Sequence, residues 1–185
     1  AVFEVFRAFA EDFGTIDRVI VNAGLGKGAP IGTGRYDANR QTAMTNFVAA
    51  LAQTEAAMEI FRAQKRGHLV MISSVSAMRG MRKTVTTYAA TKAGVATLAE
   101  GLRNEMLGEP DLDIRVSTIY PGYIRSEMNE RVKKTPFIVD TTTGVHAMVE
   151  AIEKEKANAL VPAWPWVPLG KAMRHLPLPL VRKIM

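Results

Sequence analysis

Apolar side chains recur at helical spacing over residues 2–13, at Val2, Phe3, Phe6, Phe9, Ala10 and Phe13, and Gly14 closes the run. A short unbroken apolar stretch at residues 19–21 then ends in Asn22-Ala23-Gly24. Unbroken stretches of this kind suit parallel strands covered on both faces. Residues 36–65 predict one long helix, with Phe47, Ala50, Leu51, Thr54, Met58 and Phe61 on one side and Gly67 as its stop. A second apolar strand at residues 69–72 leads into Ser73 and Ser74. The next helix carries Val95, Leu98, Leu102 and Met106 and runs through Leu107, a seam wider than one sheet face needs. Pro110 and a polar turn precede a strand at residues 114–119, which Pro121-Gly122 follows. A helix at 143–156 and a strand at 159–161 complete the alternation. Helices alternating with buried strands predict an α/β fold with a doubly wound parallel sheet.

Two connections lack a period. Residues 127–142, with Met128, Pro136 and Phe137, read as a loop. Residues 25–35 read as a flexible connection, although Gly28, Gly32 and Gly34 have the spacing of a phosphate-holding turn. Such a turn directly follows a strand and opens a helix. Here Leu25-Gly26-Lys27 intervenes, and Pro30 removes a backbone donor from the middle of the run.

Composition narrows the class. A chain of 185 residues, 48% hydrophobic, buries one good core. Residues 1–162 read as that domain and residues 163–185 as a tail. No apolar run reaches the roughly 18 residues of a spanning helix. With no cysteine, disulfides and thiolate metal sites are excluded. His68, His146 and His175 form no metal-ligand spacing, so no metal is expected.

The net charge of +6 is uneven. Glu155 is the last acid, and Lys156, Lys171, Arg174, Arg182 and Lys183 follow it. No basic stripe with interleaved aromatics supports nucleic-acid binding. The tail mixes Trp164 and Trp166 with Leu, Met and basic residues, while Pro177 and Pro179 forbid one continuous helix. A cover over a substrate cleft is the first expectation for it, and docking on an anionic membrane surface the second.

The chemistry concentrates at Tyr88 and Lys92, four residues apart and so on one helix face. A nearby ammonium favours a phenolate, which makes Tyr88 a candidate proton donor and acceptor. Ser74, just upstream, can orient an oxygen substrate. With 4 Tyr among 185 residues, such a pair arises by chance in about one chain in five, so its context decides.

That context resembles the short-chain dehydrogenase/reductase family. The motifs are Asn22-Ala23-Gly24 after a strand, Asn46 inside a helix, Ser74 after a strand, Tyr88-x-x-x-Lys92, and Tyr120-Pro121-Gly122 after a further strand. The resemblance runs from the first residues to about Val161. It implies a Rossmann-like domain represented by its C-terminal part, with the Gly-rich pyrophosphate turn ahead of Ala1. Val21 stands where the family often has a first Asn, and Ser126 where it usually has Thr. The family's catalytic Ser is most often 13 residues before the Tyr. Ser74 is 14 before Tyr88 and Ser76 is 12; Ser74 is preferred because it closes the strand, and Ser76 remains its competitor.

The resemblance implies NAD(P)-dependent interconversion of an alcohol and a ketone or aldehyde. Tyr88, Lys92, Ser74 and Asn46 are the implied catalytic set, with Asn46 supporting a proton-relay water. Asn22, Ala23, Gly24, Tyr88, Lys92, Pro121, Gly122, Ile124 and Ser126 are the implied cofactor contacts, the cofactor being NAD or NADP. Residues 127–142 take the place of the family's substrate lid. Apolar residues in lid and tail suggest an apolar substrate, with a 3-oxoacyl reductase as the rival reading. A noncatalytic remnant or binding module is the alternative should the chain begin at Ala1. A cytoplasmic homodimer or homotetramer, with peripheral membrane contact through the tail, completes the expectation.

Overall fold

The computed structural model describes residues 1–126 and 137–184. Four strands form one parallel sheet in the order β1 (Arg18–Val21), β2 (Arg66–Ile72), β3 (Asp113–Pro121) and β4 (Asn158–Val161). Sequential neighbours all run parallel, because each crossover carries a helix back along the sheet.

Strand alternation divides the core in two. Leu69 and Met71 face α3 (Ala49–Gln64) and α4 (Thr86–Leu107), packing on Met58, Phe61, Val95 and Ala99. Val70 and Ile72 face the other way, against Ala151 and Ile152 of α5 (Thr141–Glu153). Helices on both faces make the sheet doubly wound, as the pattern predicts. α1 (Val2–Phe13) packs beside α3 with no fully buried residue.

The predicted single helix over residues 36–65 is three pieces. α2 (Tyr36–Ala43) passes through a π-helical turn, Met44–Val48, into α3. Wider turns of this type interrupt α-helices mostly as single insertions at functional sites. Here the insertion coincides with the fully buried Asn46. The helix stops at Lys65 in the left-handed conformation, φ 60°, rather than at Gly67. Gly67 instead lies in β2 under the ring of Phe61, where a Cβ would come within 2.2 Å of Cδ1.

The connection over residues 25–35 is fastened, against the expectation of a flexible one. Asn39 accepts a hydrogen bond from Ala29 N (2.9 Å), donates to Ala29 O (3.0 Å) and accepts from Thr87 Oγ1 (3.0 Å). A Cβ at Gly28 would lie 2.1 Å from the carbonyl oxygen of Thr84, so the chain passes too close there for any side chain.

α5 begins two residues before the predicted start because Asp140 caps it, accepting from Thr143 N (2.9 Å). The tail folds as α6 (Ala163–His175) and α7 (Leu178–Ile184), broken at Pro177. Trp166 and Met173 are fully buried against Val75, Met78 and Tyr120. Among the described residues no helix is long and apolar enough to cross a membrane. The central part of the expected lid, with Met128 and Pro136, lies outside the described residues.

Candidate active site

Because the strands are parallel, the loops that leave β1, β2 and β3 emerge along one edge of the sheet, where α/β sheets bind ligands. Those loops are Asn22-Ala23-Gly24, Ser73-Ser74 and the stretch after Pro121. Together with the first turns of α4 they enclose a cleft of about 540 Å³. Asn22, Ala23, Gly24, Ser74, Tyr88, Lys92, Pro121, Gly122, Ile124 and Ser126 all line it. Asn46 is the one predicted residue that does not.

Ser74 ends the extended run of β2 and caps a short 3₁₀ turn, Val75–Met78. Its Oγ accepts from Ser76 N (3.2 Å) and from Ser76 Oγ (2.9 Å). Ser76 also lines the cleft, and its hydroxyl donates to that of Ser74. Ser73 turns the other way, and its Oγ donates to Lys92 O at 2.7 Å, tying α4 to the end of β2.

Lys92 is 4% exposed, and its Nζ donates to Ile72 O at 2.8 Å. Loss of solvent around the ammonium lowers its pKa from the ordinary lysine value to about 8. The Nζ lies 6.0 Å from the centre of the Tyr88 ring. Burial pushes the Tyr88 phenol above its ordinary value, a hydrogen bond with Ser74 offsets part of that rise, and Tyr123 adds to it. Desolvation thus sets the direction for the phenol, opposite to the phenolate-favouring influence expected of Lys92.

Gly24 packs closely against Lys92 and Asn46. A Cβ there would sit 3.3 Å from Lys92 Nζ and 3.8 Å from Asn46 Oδ1. The Asn46 amide grips the next residue, accepting from Leu25 N (2.6 Å) and donating to Leu25 O (2.9 Å). It also donates to Thr91 Oγ1 (3.4 Å), which in turn donates to Tyr88 O (2.7 Å). Asn46 accordingly locks the Asn22-Ala23-Gly24 turn to the helix that carries Tyr88 and Lys92.

Sequence reading missed part of the lining. Thr141, Val145 and Met148 of α5 close one side of the cleft, and Tyr123 another. Tyr123 meets Trp166 edge-to-face at 5.3 Å, and Phe137 meets the same indole at 6.1 Å. A Cβ at Gly122 would fall 1.9 Å from Trp166 Nε1, so the indole slides under the Pro121-Gly122 turn. The two Trp residues of the tail were the available signal, but only Trp166 meets residue 122, across α5 and β4.

Residues 1–136 match a family model described as short chain dehydrogenase. An uncharacterized oxidoreductase of Mycobacterium tuberculosis is 49% identical over 180 residues, covering 97% of this chain and 70% of the relative. A short chain dehydrogenase from Burkholderia cenocepacia, solved in complex with NADP, superposes with a TM-score of 0.81 at 23% identity, over 100% of this chain and 76% of that one. A bulky-bulky ketone specific alcohol dehydrogenase from Comamonas testosteroni gives a TM-score of 0.72 at 25% identity, over 96% and 70%. The match over residues 1–136 and the close relative agree with the motif order along the strand ends: the chain belongs to the short chain dehydrogenase family, whose members are oxidoreductases.

Proposed function

We propose that the Tyr88 cleft interconverts an alcohol and a ketone or aldehyde with NAD or NADP. The observation that carries this reading is the convergence of Ser74, Tyr88 and Lys92 on one cleft floored by Gly24 and Gly122. The dinucleotide, when bound, supplies or accepts the hydride. Asn22, Ala23 and Gly24 would hold it on one side, and Pro121, Gly122, Ile124 and Ser126 on the other. The close approach of the backbone at Gly24 to Lys92 Nζ fits such a cradle.

Tyr88 exchanges the proton with the substrate oxygen. Its phenol is held protonated by burial, which suits donation to a carbonyl oxygen. Lys92, tied to Ile72 O, sits between the Tyr88 ring and the Gly24 turn, placed to hold a ribose and to raise the acidity of the phenol once charge develops. Ser74 donates to the substrate oxygen, and Ser76 fixes its rotamer. Asn46 keeps the turn and the catalytic helix in register. A water held near Asn46 and Lys92 relays the proton.

An apolar substrate fits the wall of Tyr123, Val145 and Met148, backed by Trp166. The likeness to a dehydrogenase for bulky ketones points the same way. The tail acts through Trp166 as support for that wall, in preference to membrane docking.

The test is reduction of a bulky apolar ketone by NADH or NADPH, followed through nicotinamide absorbance. Tyr88→Phe keeps the ring and removes the proton, so turnover falls by roughly 10²–10⁴ while cofactor affinity holds. A Tyr88→Phe enzyme turning over at nearly the original rate removes Tyr88 from the mechanism.

A further inference from the structure

A second and larger groove, of about 830 Å³, separates α4 from α6 and shares no residue with the Tyr88 cleft. Its floor is the sheet face formed by Ile114, Val116 and Tyr120 of β3 and Leu160 of β4. Two rungs of that sheet differ in chemistry. Tyr120 pairs with Leu160, and Met78 and Val167 line the groove beside them, an apolar level. Thr118 pairs with Asn158 one step below, and Arg103 reaches across both.

The Arg103 guanidinium is held in place by neutral acceptors. It donates to Val116 O (3.4 Å), Thr118 Oγ1 (2.8 Å) and Asn158 Oδ1 (3.3 Å). Those bonds use three of the five donors of an arginine and leave two. Among the described residues no carboxylate pairs with Arg103, and none pairs with Lys171 or Arg174 on the facing side of the groove. Glu155 is matched by Arg115, so Glu100 alone faces three unmatched cations. The Tyr120 hydroxyl donates to Asn158 Oδ1 (3.3 Å) beside Arg103, and it feels Arg103 and Arg174 against the opposing carboxylate of Glu100.

A half-buried cation fixed by neutral groups is electrostatically incomplete, and an anion completes it. The two remaining donors of Arg103 match the two oxygens of one carboxylate. The apolar floor matches a hydrocarbon body. Volumes of roughly 300–1,000 Å³ are those of small-molecule sites rather than of protein docking faces.

We propose that the groove between α4 and α6 binds a small amphipathic carboxylate, its head on Arg103 and Arg174 and its chain along the apolar floor. The site is separate from the Tyr88 cleft and stands or falls independently of the activity proposed there.

Calorimetric titration of the full chain with dodecanoate tests it. Saturable one-to-one binding is expected, weakened roughly tenfold by Arg174→Glu and by Lys171→Glu, both on the exposed rim where the fold tolerates them. Dodecanol, with the same chain and no charge, binds at least tenfold more weakly. A diazirine-bearing dodecanoate, mapped by peptide mass spectrometry, labels residues 100–107 and 167–174. Absence of saturable binding, indifference to both charge reversals, equal affinity for dodecanol, or labelling confined to the loops of the Tyr88 cleft each overturns the assignment.

Discussion

Lys92 carries the sharpest conflict between stability and chemistry in the molecule. Its pKa of about 8 against 10.5 for an ordinary lysine means that burying the ammonium costs about 3 kcal/mol below pH 8. The folded state binds the proton less tightly than the unfolded chain. Stability relative to an uncharged residue is therefore lowest below pH 8 and recovers as pH rises toward 10.5. Lys92→Met should raise the urea midpoint at pH 7 and lose that advantage near pH 10, while abolishing turnover. A variant less stable than the parent at pH 7 would refute the argument. Ser74 and Ser76 offer a second residue-scale comparison. Since Ser76 acts through Ser74 by a 2.9 Å hydrogen bond, Ser74→Ala should damage turnover much more than Ser76→Ala. Equal or reversed losses would move the catalytic hydroxyl to Ser76.

Between elements, His68 joins three strands. Arg18 Nε of β1 donates to His68 Nδ1 (2.9 Å), which leaves the proton on Nε2 to be donated to Ser117 Oγ of β3 (2.8 Å). Burial lowers the His68 pKa, and Arg18 and Arg115 lower it further against the opposite influence of Glu155 and Glu153. A depressed histidine pKa means that the unfolded chain takes up the proton first. The neutral network contributes fully above the ordinary histidine value of about 6.5 and is lost as pH falls below it. Urea midpoints should therefore decline on acidification below about pH 6.5, and His68→Gln should flatten that decline. An identical pH dependence in both proteins would exclude His68 as its source. The π turn at Met44–Val48 works at the same scale, since it turns the Asn46 amide toward Leu25 instead of along the helix.

For the whole molecule, the sheet edge at β1 matters most. Among the described residues β1 pairs only with β2, and Ile20 is 48% exposed beside it. Phe9 and Phe13 of α1 add 46% and 72% exposed aromatic rings. An edge strand with apolar neighbours invites edge-to-edge association. The chain should scatter light as its concentration rises, and Ile20→Lys should suppress that association. Equal scattering from the two proteins would contradict this.

Local chemistry along the chain was enough to specify most of the fold. Unbroken apolar runs, helical stripes and turn residues depend only on neighbours within a few positions, and they located all four strands and the helices between them. The Tyr88–Lys92 pair was legible for the same reason, being four residues apart on one helix. What depends on distant partners was not legible. The π turn at Asn46 accompanies hydrogen bonds of its amide to Leu25, 21 residues away. The phenol of Tyr88 is governed by burial rather than by Lys92, and burial is a sum over the whole core. Gly28, Gly67 and Gly122 are glycines because Thr84, Phe61 and Trp166 crowd them, contacts no spacing rule contains. Sequence alone located the strands and most of the helices and brought forward the residues proposed to carry the chemistry. Only tertiary packing decided their solvation, their partners and the groove between α4 and α6, because desolvation and steric exclusion arise only when remote segments meet.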